Sequence, residues 1–168
     1  GAGGKGYFVL DVTNPASGSN SKASSFAEAN AANLAKLDRT RGAADARSCA
    51  ALANGSAEKT FCEQAAEEDK DIGHITAKPV LDENDPMRTT QITLMNNEHD
   101  NGSARWAVVL GNGYNSTNQR PVLLVQYLDG DKALLRIPVT AEAAGTGNAN
   151  DNGLAAPRLV DLDGDGRS

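Results

Sequence analysis

The sequence is poor in aromatic residues, poor in histidine and without surplus positive charge. Aromatics make up 4% of the chain: one tryptophan, three tyrosines and three phenylalanines. Hydrophobic residues stand at 39%, below the roughly 45–50% of globular chains, although that range counts glycine and this figure does not. The net charge of −6 argues against a nucleic-acid role, which needs basic patches to neutralise phosphates. Neither histidine, His74 or His99, has a nucleophile partner in sequence, and there is no Gly-x-Ser-x-Gly elbow, so no catalytic residue is assigned. No apolar run approaches the roughly 18 residues that span a bilayer, and Gly1-Ala2-Gly3-Gly4 lacks the apolar core of a signal peptide. The chain is therefore read as not membrane-spanning.

Acidic side chains, glycine and asparagine are what it does contain. The last ten residues run Leu159-Val160-Asp161-Leu162-Asp163-Gly164-Asp165-Gly166-Arg167-Ser168. Carboxylates at every second position project to one side of an extended turn, so Asp161, Asp163 and Asp165 can converge on one point. Calcium takes six to eight oxygens at roughly 2.3–2.6 Å, and a glycine at the sixth position allows the turn that closes such a loop. Asp-Gly pairs are also ordinary turn formers. Strict alternation with Gly166 in register favours the metal loop, with the backbone carbonyl of Arg167 as the seventh-position ligand. The sequence ends at the eighth position, so the 168 residues are expected to be a fragment of one larger domain.

The two cysteines, Cys49 and Cys62, lie in an alanine-rich segment. Ser25-x-x-Glu28 reads as a capping box opening a helix that carries Phe26, Ala29, Leu34 and Leu37 on one face until Gly42 breaks it. Residues 43–53 read as a second short helix, stopped by Asn54-Gly55, and Ser56 is placed to cap a third that runs to about Glu68. In such an αα-hairpin the cysteines sit at near-equal distances from the turn, which predicts a disulfide. Two unpaired buried thiols are the alternative; Cys62 and His74 fit no common zinc spacing. The run Glu67-Glu68-Asp69-Lys70-Asp71 reads as a solvated helix exit.

Strands are predicted over residues 5–12, 74–81, 89–95, 105–110, 122–127 and 133–139, with a further strand leading into the aspartates. Residues 96–103 and Asp129-Gly130-Asp131 are hairpin connections. Residues 16–24 and 144–153 read as linkers. The chain is mainly β, with sandwich, barrel and propeller all open on pattern alone. Gly111-Asn112-Gly113-Tyr114-Asn115-Ser116 has no lysine after its glycines and no following helix, so it is read as a shaped loop rather than a phosphate cradle, with Tyr114 as its packing anchor.

Three stretches resemble the C-terminal domain of the PilY/PilC family of type IV pilus biogenesis factors and tip adhesins. They are residues 3–15 (GGKGYFVLDVTNP), 106–116 (WAVVLGNGYNS) and 153–166 (GLAAPRLVDLDGDG), joined in order by Asp71-Ile72-Gly73-His74 and Lys78-Pro79-Val80. The resemblance implies a partial β-propeller with quinoprotein-like antiparallel blades and a calcium loop whose occupancy regulates pilus extension against retraction. It implies an extracellular site at the pilus tip or outer-membrane surface of a Gram-negative bacterium. The implied partners are minor pilins of the tip complex and a host or surface receptor. Residues 16–70 have no counterpart in that pattern and look like a small helical insertion. Two other classes stand beside this one. A quinoprotein-like calcium-dependent dehydrogenase would need tryptophan stacking on a quinone, and only Trp106 is present. A calcium-stabilised carbohydrate-binding module is the third.

Overall fold

The computed structural model describes residues 4–12, 25–40, 48–85, 90–95, 104–139 and 153–167. The expected linkers at 16–24 and, except for Gly153, at 144–153, the connection at 96–103 and the start of the second helix at 43–47 lie outside them.

The organising element is a four-stranded antiparallel sheet of β3 (Ile92–Met95), β4 (Arg105–Gly111), β5 (Val122–Tyr127) and β6 (Leu134–Pro138), in sequence order. The runs WAVVL and VLLV are apolar at consecutive positions, so a strand built from either is apolar on both faces. The register sorts them. Val109 lies opposite Val125 and Ala107 opposite Tyr127 on one face, while Leu110 pairs with Leu124 on the other. The β5–β6 connection is the predicted Asp-Gly turn, with Gly130 at φ 58° and the Lys132 amide donating to the Asp129 carbonyl at 3.1 Å.

A second sheet, β1 (Phe8–Leu10) with β2 (Ala35–Asp38), covers one face of the first. Tyr7 enters there with Ile72, Val122, Leu124 and Leu134, and Leu37 packs alongside. The Tyr7 hydroxyl donates to Oε1 of the fully buried Gln126 at 3.0 Å, and burial raises the phenol's pKa so that it remains a donor. On the opposite face Ala107, Val109, Val125 and Tyr127 are joined by Met95 and Leu159.

Several expectations need correction. The helix from Ser25 to Gly42 is reduced to a 3-10 turn at Glu28–Asn30 and a single helical turn, α1 (Ala31–Leu34); the chain then becomes β2. Ala27, not Ser25, holds the cap position, with no side-chain bond. A helix this short does not recover its nucleation cost, whereas pairing with β1 places Leu37 against the core. Residues 48–53 form turns rather than a helix, so the described residues contain no αα-hairpin. The third helix, α2 (Ala57–Asp69), forms as read: Ser56 Oγ accepts from the Lys59 amide at 3.1 Å. Residues 74–81 are not a strand; His74 makes one bridge to Tyr114, and Pro79 brings no amide donor to a ladder. Residues 154–160 also form no strand, Leu154 making a single bridge to Gly113.

Candidate functional site

The segment bearing the three aspartates is tied to the sheet at both ends. At its start the Leu154 amide donates to Asn112 Oδ1 at 3.0 Å, and the Gly113 amide donates to the Leu154 carbonyl at 3.0 Å. Midway, Leu159 packs on the Val109–Val125 face. At its end Arg167 bridges Leu94 of β3 in the parallel sense.

Between these anchors the loop folds around its own carboxylates. Asp161 accepts the Gly164 amide on Oδ1 at 2.7 Å and the Gly166 amide on Oδ2 at 2.8 Å. Asp163 accepts the Asp165 amide at 3.3 Å, and Asp165 the Arg167 amide at 2.9 Å. Gly164 and Gly166 take φ 77° and 82°, a region that favours glycine and that lets the backbone wrap inward. One oxygen from each of Asp161, Asp163 and Asp165 falls within 4.8 Å of the others. Two oxygens on one calcium ion can lie at most roughly 5 Å apart, twice the usual bond length. The donor set is therefore of the right kind and spacing for a hard cation. Each carboxylate keeps lone pairs beyond those the amides use. Backbone donation, chiefly from Gly166, lowers the Asp161 carboxyl's pKa, which keeps it ionised. The neighbouring cation is Arg167, whose Nε lies 3.8 Å from Asp165. The Arg167 carbonyl is the remaining donor proposed from sequence.

Cys49 and Cys62 are disulfide-bonded, with Cα atoms 5.8 Å apart. The bridge joins a turn to α2 rather than helix to helix.

Sequence reading missed the most constrained polar cluster. Asp71, taken as part of a solvated exit, is fully buried, and Glu68 is buried too. Asp71 Oδ1 accepts from Arg120 Nε and Asn118 Nδ2, each at 2.8 Å; Oδ2 accepts from Arg120 Nη2 at 2.8 Å and Arg136 Nη1 at 2.9 Å. Burial alone would push its pKa up. The hydrogen bonds from Arg120 and Asn118, with the charges of both arginines, outweigh that and hold the carboxyl below its usual range. Glu68 is held separately by Arg39 at 2.8 Å and Gln64 at 3.1 Å.

Next to Asp71 lies Asn112, also fully buried. Its Nδ2 donates to the Asp71 and Arg120 carbonyls at 2.9 and 2.8 Å, and its Oδ1 accepts from Val122 and Leu154 at 3.1 and 3.0 Å. All four hydrogen-bonding positions of the amide are filled. Asn112, not the half-exposed Tyr114, is the loop's anchor; Tyr114 stacks beside His74 at 5.1 Å. The glycines around it permit backbone-on-backbone crossings: a Cβ on Gly111, Gly113 or Gly153 would overlap the carbonyls of Ala155, His74 or Gly113 respectively. An open pocket of about 210 Å³ beside this crossing includes Ile75, Tyr114 and Leu154 in its wall, and Tyr114 is the one titratable lining residue.

Curated relatives match along nearly the whole chain. The type IV pilus biogenesis factor PilY1 homolog of Xylella fastidiosa is 29% identical over 170 residues, covering 99% of this chain. PilY1 of Pseudomonas aeruginosa strain PAO1 is 27% identical over 165 residues, covering 98%. In strain UCBPP-PA14 the identity reaches 39% over 64 residues, 38% of this chain. The chain spans only 8% and 9% of the length of the first two. No family model and no solved structure matches it.

Proposed function

We propose that this chain, similar to PilY1 along nearly its whole length, is the calcium-binding propeller region of a type IV pilus biogenesis factor. That similarity, at 98–99% coverage, is the observation that carries the proposal. The region acts without catalysis, at the pilus tip or outer-membrane surface of a Gram-negative bacterium. It contributes to the control of pilus extension and retraction and to surface attachment, in contact with minor pilins and a host or surface receptor.

Propeller architecture is supported by β3–β6, a four-stranded antiparallel meander of the kind that makes one blade. Its faces stay apolar beyond the described core, with Trp106 and Ile92 half-exposed on one side and Leu135 and Ile137 on the other. A blade stacked between neighbours buries both. Residues 16–70, read from sequence as a helical insertion, contribute β2 to the core and α2 to the surface, and it is the exposed side of α2 that can vary without disturbing the blades.

Asp161, Asp163 and Asp165, with the Arg167 carbonyl, would hold the calcium ion, which would cancel the mutual repulsion of three carboxylates. The test is calorimetric titration of the longest natural chain that contains these residues, with Asp163→Ala as control. Saturable binding lost in the variant is the expected result, together with altered pilus retraction in bacteria carrying it at unchanged protein level. Absence of binding up to millimolar calcium overturns the metal assignment.

A further inference from the structure

Asparagine followed by glycine is a chemically labile pair, because the glycine amide, with no Cβ beside it, can reach the side chain of the asparagine before it. Two such pairs lie wholly within the described residues, and the fold treats them oppositely. Asn112-Gly113 is locked. Both polar atoms of the Asn112 side chain are fully engaged, and the Gly113 amide donates to the Leu154 carbonyl at 3.0 Å. Asn54-Gly55 is open. Both residues are exposed, and Gly55 takes φ 78° with nothing else within 4 Å of the place a Cβ would occupy. The Gly55 amide has no acceptor among the described residues. The turn is closed instead by the Ser56 amide, which donates to the Ala53 carbonyl at 3.1 Å.

Lys59, in the first turn of α2, completes the arrangement: its Nζ donates to Asn54 Oδ1. A cation on that oxygen draws electrons from Cγ and stabilises the negative charge that develops on Oδ1 when Cγ is attacked.

We propose that Asn54 is a modification site, where the side-chain amide converts spontaneously to a carboxylate with Lys59 promoting the step. The Gly55 nitrogen bonds to Cγ, the Cγ–NH2 bond breaks, and ammonia leaves carrying, by way of water, the proton that Gly55 gives up. Water then opens the resulting cyclic imide, at Cγ to give aspartate or at the α-carbonyl to give the β-linked isomer. Water is the only other reactant, and nothing is oxidised or reduced. The aspartate product is favoured where it forms: Lys59 faces it, and it lies two residues before Ser56, the N-cap of α2, where the helix dipole attracts an anion. The β-linked isomer lengthens the backbone inside the ring closed by Cys49 and Cys62. Either product changes the charge of this braced loop once and irreversibly. The proposal is independent of the calcium reading.

The test is peptide mapping by mass spectrometry of the longest natural chain that contains these residues, incubated with its disulfide intact in mildly alkaline buffer, with the two isomers separated by chromatography. Conversion is expected to be at least about tenfold faster at Asn54 than at Asn112, which reacts only when the fold opens. In urea, where neither site is held, the two rates should converge. Lys59→Met is expected to slow conversion at Asn54 by about threefold; a donor to a developing oxyanion is worth roughly 100-fold or more in a closed site, and less at this exposed contact. Equal rates at the two asparagines in the folded protein overturn the proposal, and an unchanged rate in Lys59→Met overturns the part given to Lys59. A stable product that has lost ammonia and joins the two side chains also overturns it, in favour of an amide cross-link between Asn54 and Lys59.

Discussion

Replacing Asp71 with asparagine keeps the side chain's shape and removes its charge, and so isolates what the buried carboxylate does. The asparagine Oδ1 can still accept from Asn118 and Arg120 Nε. Its NH2 group, however, faces Arg120 Nη2 and Arg136 Nη1, donor against donor. Two charge-assisted hydrogen bonds are lost, each worth about 1.5–3 kcal/mol. Removing one partner of a fully buried pair costs about 3–5 kcal/mol. Here the side chains of Arg120 and Arg136 are 43% and 29% exposed and can regain water, so the loss falls to the lower end, about 3 kcal/mol. For a chain of this length that lowers Tm by roughly 6–12 °C. The assay is thermal and urea unfolding followed by circular dichroism, repeated from neutral to acid pH. Asp71 has a folded pKa below its unfolded value, so its contribution is present above about pH 4 and is lost as pH falls through the depressed folded pKa. The parent protein should weaken through that window more steeply than the variant, which keeps other depressed carboxylates such as Asp161. A variant within about 1 kcal/mol of the parent, roughly a fivefold change in the folding equilibrium, with the same acid dependence, would refute the reasoning.

Two further expectations concern the backbone. Cys62→Ser opens a loop closed across 13 residues, for which chain entropy gives a loss of about 3 kcal/mol, read as a lowered urea midpoint that matches the parent under reducing conditions. Gly113→Ala and Gly55→Ala both place a side chain at positive φ, but only Gly113 meets neighbouring backbone. Gly55→Ala should cost about 1 kcal/mol, from conformation alone. Gly113→Ala should cost about 3 kcal/mol, with overlap added, and equal denaturation midpoints would contradict that contrast.

The parts legible in the sequence were those whose signal is local. Residues 122–127 and 105–110 read as strands because β-branched and aliphatic side chains run continuously there, and the structure places β5 and β4 on them within a residue. Ser56 announced α2, and the spacing of Cys49 and Cys62 announced their bridge. The alternation of Asp161, Asp163 and Asp165 likewise gave the loop's inward-facing oxygens. What failed depended on distant partners. Leu37 falls at helical spacing from Leu34, yet the chain from Ala35 to Asp38 pairs with β1 as a strand. The charges at 67–71 look solvated until Arg120 and Arg136, some 50 and 65 residues downstream, close over Asp71. Asn112 gave no sign of importance beyond its place between two glycines, since its partners lie on three distant stretches of backbone, at Asp71, at Arg120 and Val122, and at Leu154.

The disulfide also has a mechanical meaning. If the chain is pulled from its two ends, thirteen residues without the bridge would pay out roughly 45 Å of extended length. With Cys49 and Cys62 joined, the same span transmits tension across a Cα–Cα distance of 5.8 Å. The load path bypasses residues 50–61, including the first turn of α2, and that stretch stays slack while the rest of the chain is under tension. Whatever surface those residues present therefore keeps its shape under a force that would straighten an unbridged loop.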